Sequence, residues 1–509
     1  MKKPEEENIR KNEQKNMQKN VQKSGEPAKR KSVEKKPVEK GKKNSSIYVV
    51  MYSFVFLFLG MIAYLCLYVK QNGQDLLNNS YNTRQKILLA QNYRGSIYAS
   101  GGEVLAETAI KNGAEERKYP YGNLFSHVVG YSTRGKTGVE AQANAYLIQS
   151  NIPLSEKVIN ETTGAKNPGD NVYTTLQVPV QEAASKALDN YKGAVIVTEV
   201  KTGKVIAMVS KPDFDPGTIA ADWDKLSENT DSAMLMNRAT QGLYPPGSTF
   251  KIVTALCYMR QHPEEYASYT FNCPGYFKTA NARINCYHGT SHGQVDFTES
   301  FAKSCNSSFA NMGMQIDREM FEKTVKELSF NEKLPVSFLY SQSRFSFSEE
   351  FTDAERLQAA IGQGTTVMTP LHLNMITQAI ANGGVMMKPY LIDYVASENG
   401  TVVKKFSPEE YKRVMTTEES EALTELMKAV VEEGTAKKVS GLEFTVAGKT
   451  GSAEYGQTKG ESHAWFTGFA PAEDPEIAVT IIVEGAGSGG DYAVPMAKRI
   501  FRAYFEQEN

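Results

Sequence analysis

Three short segments of this chain place hydroxyl, amine and amide side chains in an order that could support acyl transfer to a serine. They are S-T-F-K at positions 248–251, S-C-N at 304–306 and K-T-G at 449–451. A serine hydroxyl becomes a strong nucleophile only when a neighbouring group takes its proton, and a lysine buried among apolar groups can do so. Each segment alone is weak evidence, because such residues also cap helices and turns. Their joint occurrence predicts one catalytic site.

The first segment has the features of a nucleophile at the start of a buried helix. Ser248 follows the rigid turn P-P-G at 245–247, and Lys251 lies three residues further on. Residues at this spacing share a helical face, so the amine can reach the hydroxyl. Backbone N–H groups at a helix N-terminus also favour an oxyanion. We expect the helix to start at Thr249, and its predicted buried residues are Ile252, Val253, Ala255, Leu256 and Met259.

The second segment offers another hydroxyl and an amide. Ser304 would shuttle protons, and Asn306 would hold the substrate and orient Lys251. The alternative is a capped helix start, in which the Ser and Asn side chains only satisfy local backbone groups. Cys305 lies between the two residues, and the sequence assigns it no role.

The third segment has an apolar lead-in followed by small residues, which suits an edge strand that lines a ligand cleft. Lys449 would add positive charge, and the segment from Thr450 through Gly451 to Ser452 would bind a substrate carboxylate with its two hydroxyls. The backbone N–H groups of Ser248 and Ser452 are candidates for an oxyanion hole. The alternative is a surface turn with a solvated lysine.

Charge and hydropathy separate the N-terminus from the rest of the chain. Residues 1–46 hold 15 Lys and Arg against 7 Glu, a balance of +8, so the remainder carries −9 to give the total of −1. We expect 1–46 to be a disordered basic tail, and the acidic remainder argues against nucleic acid as a partner. Residues 47–69 form an uncharged apolar run, long enough to cross a bilayer as a helix.

The charges around this run predict its orientation in the cell membrane. The basic segment before it places the N-terminus in the cytoplasm and the large C-terminal part outside. A cleaved signal peptide is the alternative, but the run is too long for one and no A-x-A-like site follows. We therefore expect a single-pass membrane protein.

Two parts are expected beyond the span. Residues 70–165 are polar with short apolar runs and are predicted to form a small extended α+β region. The turn-rich segment N-P-G-D at 167–170 marks the boundary to one large α+β domain over 166–509. Strands from both ends of this domain predict an antiparallel sheet covered by helices. The predicted strands are 172–176, 193–200, 205–210, 443–447, 464–469 and 477–483, and the predicted helices include 181–188 and 494–505.

Two cysteines flank a loop-like stretch of the large domain. Cys273 and Cys286 could form a disulfide in an oxidising extracytoplasmic compartment. A zinc site is an alternative because His288 and His292 lie close by, although the spacing matches no standard zinc finger. Two unpaired thiols are the third option. The disulfide is our working hypothesis, with no resident metal and no cofactor.

The three segments together resemble those of the class B penicillin-binding proteins, the monofunctional transpeptidases. The resemblance implies a penicillin-binding, serine β-lactamase-like transpeptidase fold, with an antiparallel sheet between helices and a helical subdomain. It also implies a pedestal-like or dimerisation-like region at 70–165. Further segments that support it are R-G-S-I-Y at 94–98, L-A-E at 105–107, G-V-E at 138–140, the extended nucleophile segment N-R-A-T-Q-G-L-Y-P-P-G-S-T-F-K at 237–251, G-Q-G at 362–364 and T-P at 369–370.

The resemblance also implies a reaction. Ser248 would attack the penultimate D-Ala of a peptidoglycan stem peptide (D-Ala-D-Ala) and release the terminal D-Ala. An amine from a neighbouring stem would then resolve the acyl-enzyme and form a cross-link. Lys251 would be the base, Ser304 and Lys449 would relay protons, and Asn306 would hold the donor peptide.

The implied substrate site extends to antibiotics and to partners. β-Lactams mimic the donor and would acylate the same serine, while Thr450, Gly451 and Ser452 would hold the carboxylate. Ser452 stands where Thr is frequent in the family, which preserves the hydroxyl. The membrane and a polytopic glycan polymerase are implied partners. The alternatives are a D,D-carboxypeptidase or β-lactamase-like hydrolase, and a structural partner of a wall-synthesis complex in which catalysis is secondary.

Overall fold

A long apolar helix precedes the folded body of the protein. The computed structural model describes residues 45–78, 82–111, 113–228, 233–455 and 461–506, so nearly all of the predicted tail lies outside the described residues. Helix α1 is Ser45–Asn78, and its segment Ser46–Lys70 has a mean hydropathy of 2.3. Among the described residues it is the one helix long and apolar enough to cross a membrane. The chain divides into two compact units, 1–71 and 72–509.

The second unit begins with a small mixed region built around a buried carboxylate. Glu140 pairs with the guanidinium groups of Arg94 and Arg117 at 2.6 and 2.7 Å. Burial opposes the ionisation of Glu140, but the two cations hold the pKa of its carboxyl below the usual value. The elements are α2 (Arg84–Gln91), β1 (Asn92–Tyr93), β2 (Ile97–Tyr98), β3 (Val104–Lys111), β4 (Ala114–Lys118), α3 (Gly138–Gln142), α4 (Asn144–Ile148), α5 (Leu154–Thr163) and β5 (Asn167–Pro168).

The rest of the second unit has strands at its two ends and a helix-rich middle. Its strands are β6 (Asn171–Thr174), β7 (Gly193–Glu199), β8 (Val205–Lys211), β9 (Thr270–Cys273), β10 (Tyr276–Lys278), β11 (Arg283–Asn285), β12 (Gly293–Asp296), β13 (Val385–Met387), β14 (Ile392–Ala396), β15 (Val402–Lys405), β16 (Glu410–Arg413), β17 (Ala447–Glu454), β18 (Ser462–Ala470) and β19 (Ile477–Val483). Its helices are α6 (Val178–Leu188), α7 (Ile219–Glu228), α8 (Arg238–Gln241), α9 (Lys251–Gln261), α10 (Phe297–Ala302), α11 (Asn306–Gln315), α12 (Arg318–Glu327), α13 (Asp353–Ala359), α14 (Pro370–Ala381), α15 (Thr417–Glu432) and α16 (Ala493–Phe505).

A five-stranded antiparallel sheet carries the third motif on its edge. The strand order is β17-β18-β19-β7-β8, so both ends of the domain contribute, as predicted. Successive residues of a strand face opposite sides of a sheet. Thr467 hydrogen-bonds to Thr377 of α14 at 2.6 Å, whereas its neighbour Phe466 meets Phe501 of α16 edge to face. Helices therefore cover both faces, which confirms the predicted fold class.

A second sheet joins the small region to the large domain. Its order is β15-β14-β6-β2-β3-β4. Strand β6 pairs with β2 in parallel and with β14 antiparallel. The sheet therefore contains strands from both sides of the domain boundary that the sequence predicts between residues 165 and 166. That boundary stays a prediction.

Two predicted element limits are corrected near the motifs. Gly247–Phe250 form a 3-10 turn, so the α-helix begins at Lys251 and not at Thr249. The strand predicted at 443–447 is wrong, because β17 begins at Ala447 and runs through K-T-G. Its partner β18 ends at Ala470, and the following Pro471 has no N–H to continue the ladder.

Candidate active site

The candidate nucleophile Ser248 lies in a tight turn that rests against the K-T-G strand. Gly247 has φ +54°, and a Cβ atom there would lie 2.9 Å from the Cβ of Ala453 in β17. On its other side, the Gly247 N–H donates to the carbonyl oxygen of Gly362 at 2.9 Å. Gly362 also has a positive φ, of +70°. Glycine at both positions therefore lets this turn fit between β17 and the G-Q-G segment.

Lys251 directly follows the turn in the chain, is fully buried and donates to the S-C-N motif. Its Nζ atom lies 2.7 Å from the carbonyl oxygen of Ser304, 3.2 Å from the Ser304 Oγ and 2.7 Å from the Asn306 Oδ1. Burial lowers the pKa of Lys251 to about 8, against a smaller opposing effect of the nearby Cys305 and Cys286. A neutral fraction of this amine exists near neutral pH, as a general base requires.

Lys449 reaches the same hydroxyl from the edge strand. Its Nζ donates to the Ser304 Oγ at 3.0 Å and to the carbonyl oxygen of Thr450 at 3.0 Å. Burial, and then the charge of Lys251, lower the pKa of Lys449 well below its usual value. Ser304 itself has φ +55°, which is uncommon for a residue with a side chain. The structure thus brings two buried amines to one strained serine.

A cavity of about 820 Å³ opens beside these groups. Ser248, Asn306 and Ser452 line it, together with the 281–289 segment. The Asn306 Nδ2 donates to the carbonyl oxygen of Asn285 at 3.0 Å, so one amide connects Lys251 to that segment. The cavity is large enough for a peptide or a drug-sized ligand.

The small residues of the third motif keep β17 close to the nucleophile turn. A Cβ atom on Gly451 would lie 3.0 Å from the Pro246 carbonyl oxygen. The Ser452 Oγ accepts a hydrogen bond from the Gly489 N–H at 3.2 Å, which leaves its own proton for a ligand. The hydroxyl of Thr450 hydrogen-bonds to that of Thr435 at 2.5 Å.

Two of the site's polar contacts were missed by the sequence analysis. Thr435 follows helix α15, and Gly489 precedes helix α16, at positions far from K-T-G in the chain. Neither belongs to a short motif of reactive residues. Only the pairing of β17 in the sheet brings them to Thr450 and Ser452.

The two cysteines predicted to pair are free thiols in this structure. The Sγ atoms of Cys273 and Cys286 are 3.6 Å apart, too far for a bond. The disulfide therefore stays a prediction. Cys305, to which the sequence assigned no role, lies 3.8 Å from Cys286. A ring nitrogen of His292 lies within 4.8 Å of all three of these sulfur atoms. His288 is exposed and does not belong to this group.

Two family models match the chain in the regions just described. The model of the penicillin binding protein transpeptidase domain matches residues 193–503, and that of the penicillin binding protein A dimerisation domain matches 94–172. The chain belongs to the class B penicillin-binding proteins. The transpeptidase match contains all three motifs of this penicillin-binding protein, and the dimerisation match contains the Glu140 ion pairs.

Similar proteins are known from several bacteria. Peptidoglycan D,D-transpeptidase PbpA of Mycolicibacterium smegmatis is 32% identical over 450 residues, which cover 82% of this chain and 91% of the relative. PbpA of Mycobacterium tuberculosis is 30% identical over 461 residues, covering 83% and 92%. The ceftriaxone acyl-enzyme complex of penicillin-binding protein A from M. tuberculosis superimposes with a TM-score of 0.75 at 27% identity, covering 82% of this chain and 99% of that one.

Proposed function

We propose that this penicillin-binding protein is a peptidoglycan D,D-transpeptidase that uses Ser248 as its nucleophile and is acylated there by β-lactams. The observation that carries the residue assignment is the meeting of Lys251 and Lys449 at the Ser304 hydroxyl. This meeting point lies next to Asn306, which accepts from Lys251 and lines the same cavity as Ser248. Buried amines with lowered pKa values are typical of sites that activate a hydroxyl. The names of the relatives support the same reaction.

The acylation step uses each group once. The Ser248 Oγ attacks the carbonyl carbon of the penultimate D-Ala, and its proton passes to the neutral amine of Lys251. The N–H groups of Ser248 and Ser452 face the developing oxyanion. The amide bond then breaks, and the D-Ala amine leaves with a proton delivered through Ser304 from the lysine pair. The amine of a second stem peptide then attacks the ester carbonyl carbon, and the ester C–O bond breaks. The proton that this amine loses passes through the lysine pair to the Ser248 Oγ, which restores the serine.

The donor carboxylate is assigned to the third motif. Lys449 supplies positive charge, and the Ser452 hydroxyl keeps its proton for the carboxylate because its oxygen already accepts from Gly489. The Thr450 hydroxyl is free to donate when Thr435 donates to it. The same contacts fit the carboxylate of a β-lactam, which accounts for inhibition by donor mimicry.

Covalent labelling by a fluorescent penicillin tests the nucleophile. The full-length protein in membranes is expected to give one labelled band, and Ser248→Ala is expected to give none, because no ester can form. Ser268→Ala is a matched control, since that serine lies in another 3-10 turn, Tyr266–Ser268, and is expected to label normally. Labelling of Ser248→Ala at the wild-type level would refute the assignment.

The membrane topology and a protein partner complete the proposal. The region 70–165 is a candidate surface for a polytopic glycan polymerase. Separately, the basic residues before α1 favour a cytoplasmic N-terminus with the catalytic unit outside. Protease added to intact cells without their outer wall is expected to digest the catalytic unit and to spare an N-terminal tag. Digestion of the tag alone would contradict this orientation.

A further inference from the structure

Three thiols and one imidazole meet beside the S-C-N motif, in a group that we call the thiol cluster. The ligand atoms of Cys273, Cys286, His292 and Cys305 all lie within 4.8 Å of one another. The Cys286 Sγ is 3.6 Å from that of Cys273 and 3.8 Å from that of Cys305. The Cys273 Sγ is 3.4 Å from the His292 Nδ1. All three cysteines are buried.

These separations match the edges of a tetrahedral zinc site. With Zn–S bonds of about 2.3 Å and Zn–N bonds of about 2.0–2.1 Å, two sulfurs are about 3.8 Å apart and a sulfur and a nitrogen about 3.6 Å. The observed 3.6, 3.8 and 3.4 Å therefore need only small adjustments. Tetrahedral thiolate and imidazole ligands favour zinc over magnesium or calcium, which prefer oxygen ligands.

The thiol cluster lies where the chain has little other core. Residues 270–296 form two short antiparallel ladders, β9 with β12 and β10 with β11. The three cysteines form a buried group of their own, separate from the main apolar core, with Phe271 packed against it. Elements this small rarely bury enough apolar surface to hold their shape, and a structural metal is a common remedy.

The four ligands come from the ends of four different elements. Cys273 is the last residue of β9, Cys286 directly follows β11, His292 directly precedes β12, and Cys305 caps the N-terminus of α11. One ion at their centre would connect both ladders to the S-C-N motif. A disulfide between two of the cysteines would leave the other thiol and the imidazole unexplained.

We propose that Cys273, Cys286, His292 and Cys305 bind one zinc ion in a closed, structural site. The three thiols release their protons to solvent on binding and the imidazole binds through its neutral Nδ1, so no electron is transferred. The ion fixes Cys305 and thereby the flanking serine and asparagine of the S-C-N motif. This proposal replaces the expectation of no resident metal, and it does not depend on the proposed reaction.

The metal content of the full-length protein tests the proposal. After purification in detergent without chelators, elemental analysis is expected to give about one zinc ion per chain. Cys286→Ser is expected to lose at least about nine tenths of this zinc, because a closed site depends on every ligand. Cys257→Ser is the matched control, since Cys257 is a buried cysteine of α9 outside the thiol cluster, and it is expected to retain the zinc.

Two measurements on the wild-type protein test the proposal even if Cys286→Ser does not fold. Cobalt exchanged for zinc is expected to show the intense visible bands of a tetrahedral site and thiolate-to-metal charge transfer. Iodoacetamide is expected to modify the cluster cysteines only after a chelator removes the metal. The proposal is overturned by zinc content that is equal in wild type and a folded Cys286→Ser, by a cobalt spectrum without thiolate bands, or by a Cys273–Cys286 disulfide in the native protein.

Discussion

Ser304 accepts hydrogen bonds from two buried amines, and this contact limits the charge that the site can hold. The Nζ atoms of Lys251 and Lys449 lie 3.2 and 3.0 Å from its Oγ. Burial lowers the pKa of both amines, and the charge of Lys251 lowers that of Lys449 further. Two buried amines that contact one hydroxyl disfavour carrying two charges at once, so the pair titrates as a coupled unit. One amine can remove a proton while the other supplies one.

This arrangement predicts that penicillin acylation accelerates with rising pH. Because the pKa of Lys251 is lowered to about 8, its neutral fraction grows as the pH increases through that value and then levels off. Stopped-flow measurement of the acylation rate between about pH 6 and 10 checks this expectation, within the range where lysine titrates.

Lys251→Arg provides the comparison for the pH profile. A guanidinium stays protonated throughout this range, so acylation is expected to fall by about 100-fold or more and to lose the rise near pH 8. Lys186→Arg, on an exposed i,i+4 pair of α6, is the control and is expected to follow the wild-type curve. A wild-type rate that is independent of pH would contradict the role of Lys251 as base.

At the scale of elements, the nucleophile turn depends on its close approach to β17. We expect Gly247→Ala to slow penicillin acylation by at least about 10-fold, because the added Cβ lies 2.9 Å from Ala453 and displaces the turn. Gly383→Ala separates this effect from backbone strain alone. Gly383 also has a positive φ, of +59°, but a Cβ there meets nothing within 4 Å.

The two glycine variants are expected to differ in activity more than in stability. Each costs about 1–2 kcal/mol of unfolding free energy for placing alanine in the left-handed region. Thermal unfolding and acylation rates measured on the same samples distinguish the two effects. Equal acylation rates in both variants would show that the turn does not need its contact with Ala453.

The elements differ in how far the sequence could predict them. Ile477–Val483 was predicted to the residue, since seven apolar or β-branched residues in a row specify a buried strand. The start of β17 was not predicted correctly, because residues 443–446 have a strand-like composition. They lie outside the sheet only because the partner strand β18 ends at Ala470. The thiol cluster was predicted only in part for a similar reason. The zinc alternative included Cys273, Cys286 and His292 but not Cys305, which joins them only through tertiary packing.

At the scale of the whole molecule, one sheet makes the small N-terminal region part of the catalytic unit. Val172 of β6 pairs with Ile97 of β2 on one side and with Val395 of β14 on the other, and all three are fully buried. Removal of β2, β3 and β4 would expose β6 as an edge and uncover apolar core residues. We therefore expect that the residues of the transpeptidase family match, 193–503, do not fold independently.

This connection predicts the behaviour of two fragments. A fragment of residues 82–509 retains both sheets and is expected to be soluble, to unfold cooperatively on heating and to bind fluorescent penicillin covalently. A fragment of residues 170–509 keeps every motif residue but loses β2, β3 and β4, so we expect it to aggregate and to label to less than about a tenth of that extent. Solubility, thermal unfolding and labelled fraction are compared side by side, with Ser248→Ala in 82–509 as the background. Cooperative unfolding and full labelling of 170–509 would show that the transpeptidase domain folds without the shared sheet.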